Sequence, residues 1–177
     1  MQVLKFGGSS VANASAMGKV VEIVNNAIER DRTIVVASAI SGCTDTLIEI
    51  ATLASQKREK YKTLIDNLQQ QHIDIINAFI PDEKRARSIQ FCEENFDNLR
   101  SITQGVFILG ELTKTSLDAI QGVGELLSTS ILIFKFKSLG YNCKWVDSRQ
   151  IIKCDNGVVN SEQTNENIEK MLAEGEK

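Results

Sequence analysis

Lys5, Gly7, Gly8 and Ser9 are the first residues in this chain whose types and spacing could do chemistry. A glycine pair between a β-prone run (Met1 to Phe6) and a helical pattern starting near Asn13 lets backbone N–H groups face an anion. Lys5, one residue before the turn, supplies an ammonium able to reach over the glycines to phosphate oxygens. Alone the motif is weak, since a tight structural turn with a solvated lysine has the same appearance. Neither common phosphate fingerprint is present. There is no Gly-x-x-x-x-Gly-Lys-Ser/Thr run, and Gly122-Val123-Gly124 has Leu127 where a dinucleotide loop needs its third glycine. A second polar group, Ser38 to Thr44, is rich in small and hydroxyl residues; Ser41 or Thr44 capping the following helix would explain it without a ligand. Glu125 sits in the first turn of a third segment, where the helix dipole alone favours a carboxylate.

The elements that must hold these groups follow from periodicity. Met17, Val20, Val21, Val24, Ala27 and Ile28 give one apolar helix face ending near Arg30-Asp31-Arg32. Thr33 to Ala37 is a β-branched run that predicts a strand buried on both faces. Strand, helix and strand within 38 residues make a βαβ unit and a parallel sheet, with ligands expected at the carboxyl ends of its strands. That rule makes Gly7-Gly8 and Ser38 to Thr44 neighbours. Leu47, Ile50, Ala51 and Ala54 mark the next helix.

From Lys57 to about Thr103 the pattern is almost entirely helical. Tyr61, Leu64, Ile65, Leu68, His72, Ile75, Ile76 and Phe79 form one stripe, which makes His72 a core-edge residue rather than a ligand. Pro81 suits the first turn of a second helix carrying Ile89, Cys92, Phe96 and Leu99, and the two predict an antiparallel hairpin packed on the α/β body. Such a hairpin suits a lid or a protein–protein surface and shows no chemistry of its own. Beyond the hairpin, Thr115 or Ser116 can cap the next segment. A helix opens at Gly122 to Thr129 and closes at Gly140. Asn142 to Val146 reads as a strand, Asp147-Ser148-Arg149 as a turn and 155 to 165 as loop. A short helix with Ile168, Met171 and Leu172 comes last.

The 177 residues suffice for one globular unit. A net charge of −3 argues against nucleic acid as a partner, and the basic run Lys57 to Lys62 reads as a solvated helix face. Four scattered cysteines and one histidine make a metal site improbable, so none is assigned. With no signal peptide and no long apolar run, the expected setting is the cytoplasm, away from membranes, with free thiols. Cys43 reads as a small buried filler.

Three segments resemble one family in order and spacing: KFGGSSVA at 5 to 12, SAISGCTDTL at 38 to 47 and GVGELLSTSIL at 122 to 132. They look like the successive motifs of aspartate kinase, in the amino-acid kinase superfamily. WVDSRQII at 145 to 152 resembles that family's next strand and turn. The start and the long helical insert look most like the kinase half of bifunctional aspartate kinase–homoserine dehydrogenases. The resemblance implies an α/β fold, a three-layer αβα sandwich around a mainly parallel sheet. Residues 1–177 would be an incomplete N-terminal portion of that domain, with a helical hairpin inserted at about 57–103.

It further implies phosphoryl transfer from ATP, with Mg2+ arriving on the nucleotide, to the side-chain carboxylate of L-aspartate. The product, 4-phospho-L-aspartate, enters lysine, threonine and methionine biosynthesis. An aspartate side chain is already ionised at neutral pH, so catalysis rests on positioning and charge neutralisation. By position, Lys5 would bridge the transferring group, with Gly7, Gly8 and Ser9 around the phosphates. Ser38 and Thr44 would hold the substrate carboxylates, Glu125 its ammonium group, and Ser128 would be a weaker second contact. The family's later Gly-Arg-Gly-Gly-Ser-Asp-type motif and adenine segment have no counterpart here. The expectation is therefore an N-terminal piece of a homo-oligomeric enzyme, inactive alone. The alternative is a non-catalytic aspartate-binding or assembly module on a kinase-derived fold.

Overall fold

Strand β1 (Gln2–Phe6) pairs in parallel with β2 (Thr33–Ala37), Gln2 opposite Thr33 through Phe6 opposite Ala37, and helix α1 (Ala14–Ile28) connects them. This is the expected βαβ unit. The structure, a computed structural model, describes residues 1–155 and 157–174. Asn13 starts α1 by accepting the Ala16 N–H on its side-chain oxygen at 2.9 Å. Between the glycines and α1 lies one 3₁₀ turn, Gly8–Val11, so α1 does not begin directly at the glycine pair.

The two faces of this sheet differ. Gln2 donates through Nε2 to the Ala27 carbonyl of α1, which turns Gln2, Leu4 and Phe6 toward the helices. The alternate residues face outward: Val3 is 59% exposed, Val36 46%, and Lys5 is exposed between them. Burial of β2 on both faces, expected from its β-branched run, therefore gives way to burial on one. Such a run suits a pleated surface; it does not state how many faces are covered.

Helix α2 (Cys43–Ser55) buries Leu47, Ile50, Ala51 and Ala54 completely. Against it packs the antiparallel hairpin of α3 (Lys60–Phe79) and α4 (Ala86–Leu109). Its register is visible in three rungs. Tyr61 Oη donates to Gln104 at 2.9 Å, Arg100 donates to Asp66 and Gln69 at 2.8 and 2.6 Å, and the His72 and Phe96 rings meet edge to face with centroids 5.6 Å apart. Pro81 precedes a 3₁₀ turn, Asp82–Lys84, and α4 begins only at Ala86, later than its placement in the first helical turn suggested.

His72 is fully buried, donating Nδ1–H to the Leu68 carbonyl at 2.8 Å, with Nε2 unpartnered. Burial pushes its pKa below the ordinary histidine value, so the folded state holds a neutral ring. The unfolded chain takes up a proton as pH falls through about 6.5 and the folded chain resists it, so stability drops below that pH. His72→Leu should show a shallower fall between pH 7 and 5 in urea titrations. Equal slopes would remove His72 from the acid response.

Thr113, not Thr115 or Ser116, caps α5 (Lys114–Gln121), accepting the Ser116 N–H. Helix α6 (Val123–Ser138) comes next and ends before Gly140, whose φ of +88° suits glycine. Residues Lys114–Ser138 are long and apolar enough to cross a membrane by length and composition, but half of the apolar window is buried inside the fold.

The chain divides into two compact units, residues 1–141 and 142–177, where composition suggested one. In the second unit, Asn142 to Val146 forms no strand; apolar character becomes a strand only where a ladder exists to join. Asp147 caps the short α7 (Ser148–Ile151), and its carboxyl is held below the usual range chiefly by hydrogen bonds from the Arg149 side chain. The stretch expected as loop instead contains a hairpin, β3 (Cys154–Asp155) with β4 (Val158–Val159), and the start of α8 (Ser161–Glu174). Of the loop reading, residue 156 lies outside the described residues, as do 175–177.

Candidate active site

The carboxyl ends of β1 and β2 bring the glycine turn and the 38–44 loop together, as the parallel-sheet rule requires. A β-carbon on Gly8 would stand 3.1 Å from the Ala39 carbonyl oxygen and 3.6 Å from Ser41 Cα. Glycine is thus needed for this close approach, not for an unusual φ. Lys5 reaches back over the turn, its Nζ 4.0 Å from where a Gly7 β-carbon would lie. Ser9 is exposed beside it. The first N–H groups of the 3₁₀ turn have no partner within that turn, so turn and ammonium together form an anion-receptive end.

Helix α6 closes the other side. A β-carbon on Gly124 would come 2.8 Å from Ala39 Cβ, 3.2 Å from Cys43 Sγ and 3.4 Å from Leu47 Cδ1. This close approach places Glu125 against the loop: its Oε1 accepts the Ala39 N–H at 3.3 Å. Ser128, one turn further along, is fully buried and donates its hydroxyl to the Ser38 carbonyl at 2.6 Å. The glycine turn and α6 thus both pack against the 38–44 loop, with Lys5 and Glu125 exposed, Ser38 and Thr44 half-buried and Ser128 inside.

The helix start at α2 differs from the capping expected of Ser41 or Thr44. Gly42 occupies the N-cap position with φ +78°, and no side chain caps the helix. The left-handed turn reverses the chain where a hydroxyl was expected to hold it. Thr44 is thereby left in the first turn, without a capping role. Cys43, between them, has its thiol pushed up to about 12, first by burial and then by the Glu125 charge. A thiol so far above neutrality is inert, which suits a buried filler. Among the described residues no cluster of three or more His, Cys, Asp or Glu could hold a metal ion.

A profile of the amino acid kinase family matches residues 1–177, the whole chain. The chain belongs to the amino acid kinase family. Its relatives are aspartokinases. The bifunctional aspartokinase/homoserine dehydrogenase 2 of Arabidopsis thaliana, chloroplastic, is 26% identical over 175 residues, 99% of this chain and 18% of that protein. The aspartokinase of Candida albicans is 29% identical over 161 residues, 85% of this chain and 28% of that protein. The Escherichia coli aspartokinase III structure in complex with aspartate and ADP shares the fold with a TM-score of 0.83 at 21% identity, covering 96% of this chain and 37% of that one. The chain thus spans less than two fifths of each of these. The α/β architecture with a parallel sheet is the fold this chain shares with that structure.

Proposed function

We propose that this chain carries the L-aspartate pocket and part of the phosphate site of an aspartate kinase. The packing of the Gly7-Gly8 turn, with Lys5 over it, and of Glu125 against the same 38–44 loop is the observation that carries the reading. An anion-receptive turn and a carboxylate on the two sides of one loop suit a zwitterion offered to a polyphosphate. Lys5 and the free N–H groups of Gly8 and Ser9 neutralise phosphate oxygens, with Gly7 permitting the approach. Thr44 and Ser38 hold the substrate's carboxylates. Glu125 pairs with its ammonium through a charge-assisted bond, for which Oε2 remains free of Ala39. ATP, with Mg2+ on its phosphates, supplies the phosphoryl group; this chain's residues orient the acceptor and lower the repulsion between anions. The likeness to aspartokinases, one of them solved with aspartate and ADP, supports the choice of substrate.

Calorimetric titration of residues 1–177 with L-aspartate tests this. L-Aspartate should bind and succinate, which lacks the amine, should not. Glu125→Gln keeps an acceptor for the Ala39 N–H and removes only the charge. It should weaken L-aspartate binding about 10- to 100-fold, the range for a hydrogen bond to a charged group. Equal binding of succinate and L-aspartate, or an unchanged dissociation constant in Glu125→Gln, would sink the assignment.

A further inference from the structure

The Ser38 carbonyl and the Ala39 N–H belong to a single peptide plane, and α6 grips that plane at both ends. Ser128 donates to the oxygen at 2.6 Å, and Glu125 accepts from the nitrogen at 3.3 Å. In a trans peptide the two groups point in opposite directions, so a plane lying along the helix meets residues one turn apart. The two helix residues stand 90 and 86 positions away in sequence from their partners. Backbone hydrogen bonds hold the neighbouring units, Ser38 N–H to Phe6 and Cys43 N–H to Ile40, but among the described residues none from within the loop reaches this plane. The loop enters from β2 and leaves through Gly42, a left-handed glycine with nothing within 4 Å of where a β-carbon would lie and no side-chain cap on the helix behind it.

We propose that Ser128 is a positioning residue: it locks the 38–39 peptide plane and so sets affinity for an amino-acid substrate without touching that substrate. Its hydroxyl is fully buried, nearest the Ser38 carbonyl at 2.6 Å with the Glu125 carbonyl at 3.3 Å, which leaves it no route to a ligand. The consequence of losing it is directional. A plane held only at its nitrogen can rotate, and a half-turn would aim the Ser38 carbonyl oxygen at the Glu125 carboxylate. Glu125 would then swing away, carrying its charge from the position an incoming ammonium needs. The cavity left by Ser128→Ala is too small to disturb the packing of Leu127 and Ile131 around it, so the effect falls on the loop. The substrate class rests on the aspartate-binding reading; the grip on the peptide plane does not.

The experiment pairs amide hydrogen exchange with titration, on residues 1–177. In Ser128→Ala the Ala39 amide should exchange about tenfold faster, the equivalent of one hydrogen bond, while the Leu47, Ile50 and Phe96 amides keep wild-type protection. The dissociation constant for L-aspartate should rise about tenfold. Ser128→Cys, similar in size and a weaker donor, should fall between the two and serves in place of the alanine variant if that fails to fold. Unchanged exchange at Ala39, or faster exchange spread equally over α2 and α4, would overturn the proposal. Wild-type protein that binds no L-aspartate would remove the substrate reading, and Ala39 exchange would still decide whether Ser128 holds the plane.

Discussion

Lys5→Met is expected to lower phosphoryl transfer by about 10²- to 10³-fold in a protein that supplies the nucleotide-binding half, the range for removing one preorganised donor from a developing anion. The substitution suits the purpose because Lys5 is exposed on the open sheet face and makes no ion pair among the described residues. Methionine keeps the length and apolar stem of the side chain and removes the charge. Thermal unfolding should be unchanged while turnover collapses, and L-aspartate affinity should move little, since the ammonium group faces Glu125. Turnover within a few-fold of wild type would exclude Lys5 from the phosphate site.

Alanine at Gly124 and at Gly18 should move stability in opposite directions. Both residues lie inside helices, where replacing glycine by alanine ordinarily gains about 0.5–1 kcal/mol. At Gly18 nothing lies within 4 Å of the new β-carbon, and that gain should appear in full. At Gly124 the new atom meets Ala39 Cβ at 2.8 Å and Cys43 Sγ at 3.2 Å, neither of which is the end of a flexible chain. Helix α6 must then move off the 38–44 loop. Overpacking of this kind costs about 1–3 kcal/mol, a fall of several degrees in midpoint temperature for a domain near this size. Loss of the Glu125 to Ala39 contact should weaken L-aspartate binding in the same variant. Urea titrations of the two variants check the signs; a stabilised Gly124→Ala would mean that α6 stands further from the loop than these distances require.

What could be read from the sequence was whatever neighbouring residues decide. The apolar stripe from Tyr61 to Phe79 and the turn at Gly140 needed only helical spacing and the conformational freedom of glycine. The three polar segments were legible through their resemblance to aspartate kinase motifs, and parallel pairing placed the first two side by side. Features decided by a distant partner were not. Ser128 looks like any helix hydroxyl until the Ser38 carbonyl arrives from 90 residues away. Gly42 gives no sign in sequence that it, and not Ser41 or Thr44, would carry the start of α2. Asn142 to Val146 has strand character without a ladder, whereas the true hairpin, β3 with β4, hides in a polar stretch. There Gly157 was the available signal, since glycine supplies the left-handed φ that tight hairpin turns need. The exposure of Val36 was equally invisible, because alternation is absent from a β-branched run.

The contacts that join α6 to the 38–44 loop also differ in sequence range from those that build the hairpin. The Tyr61–Gln104 and Asp66–Arg100 rungs close loops of 43 and 34 residues, whereas Ala39–Glu125 and Ser38–Ser128 span 86 and 90. Loop closure costs about 0.6 kcal/mol more for each doubling of the span, so helices α3 and α4 are expected to form first and the contacts of α6 with the 38–44 loop later. On unfolding, α6 is expected to part from the 38–44 loop before the hairpin melts, which faster amide exchange at Ala39 than at Phe96 would check.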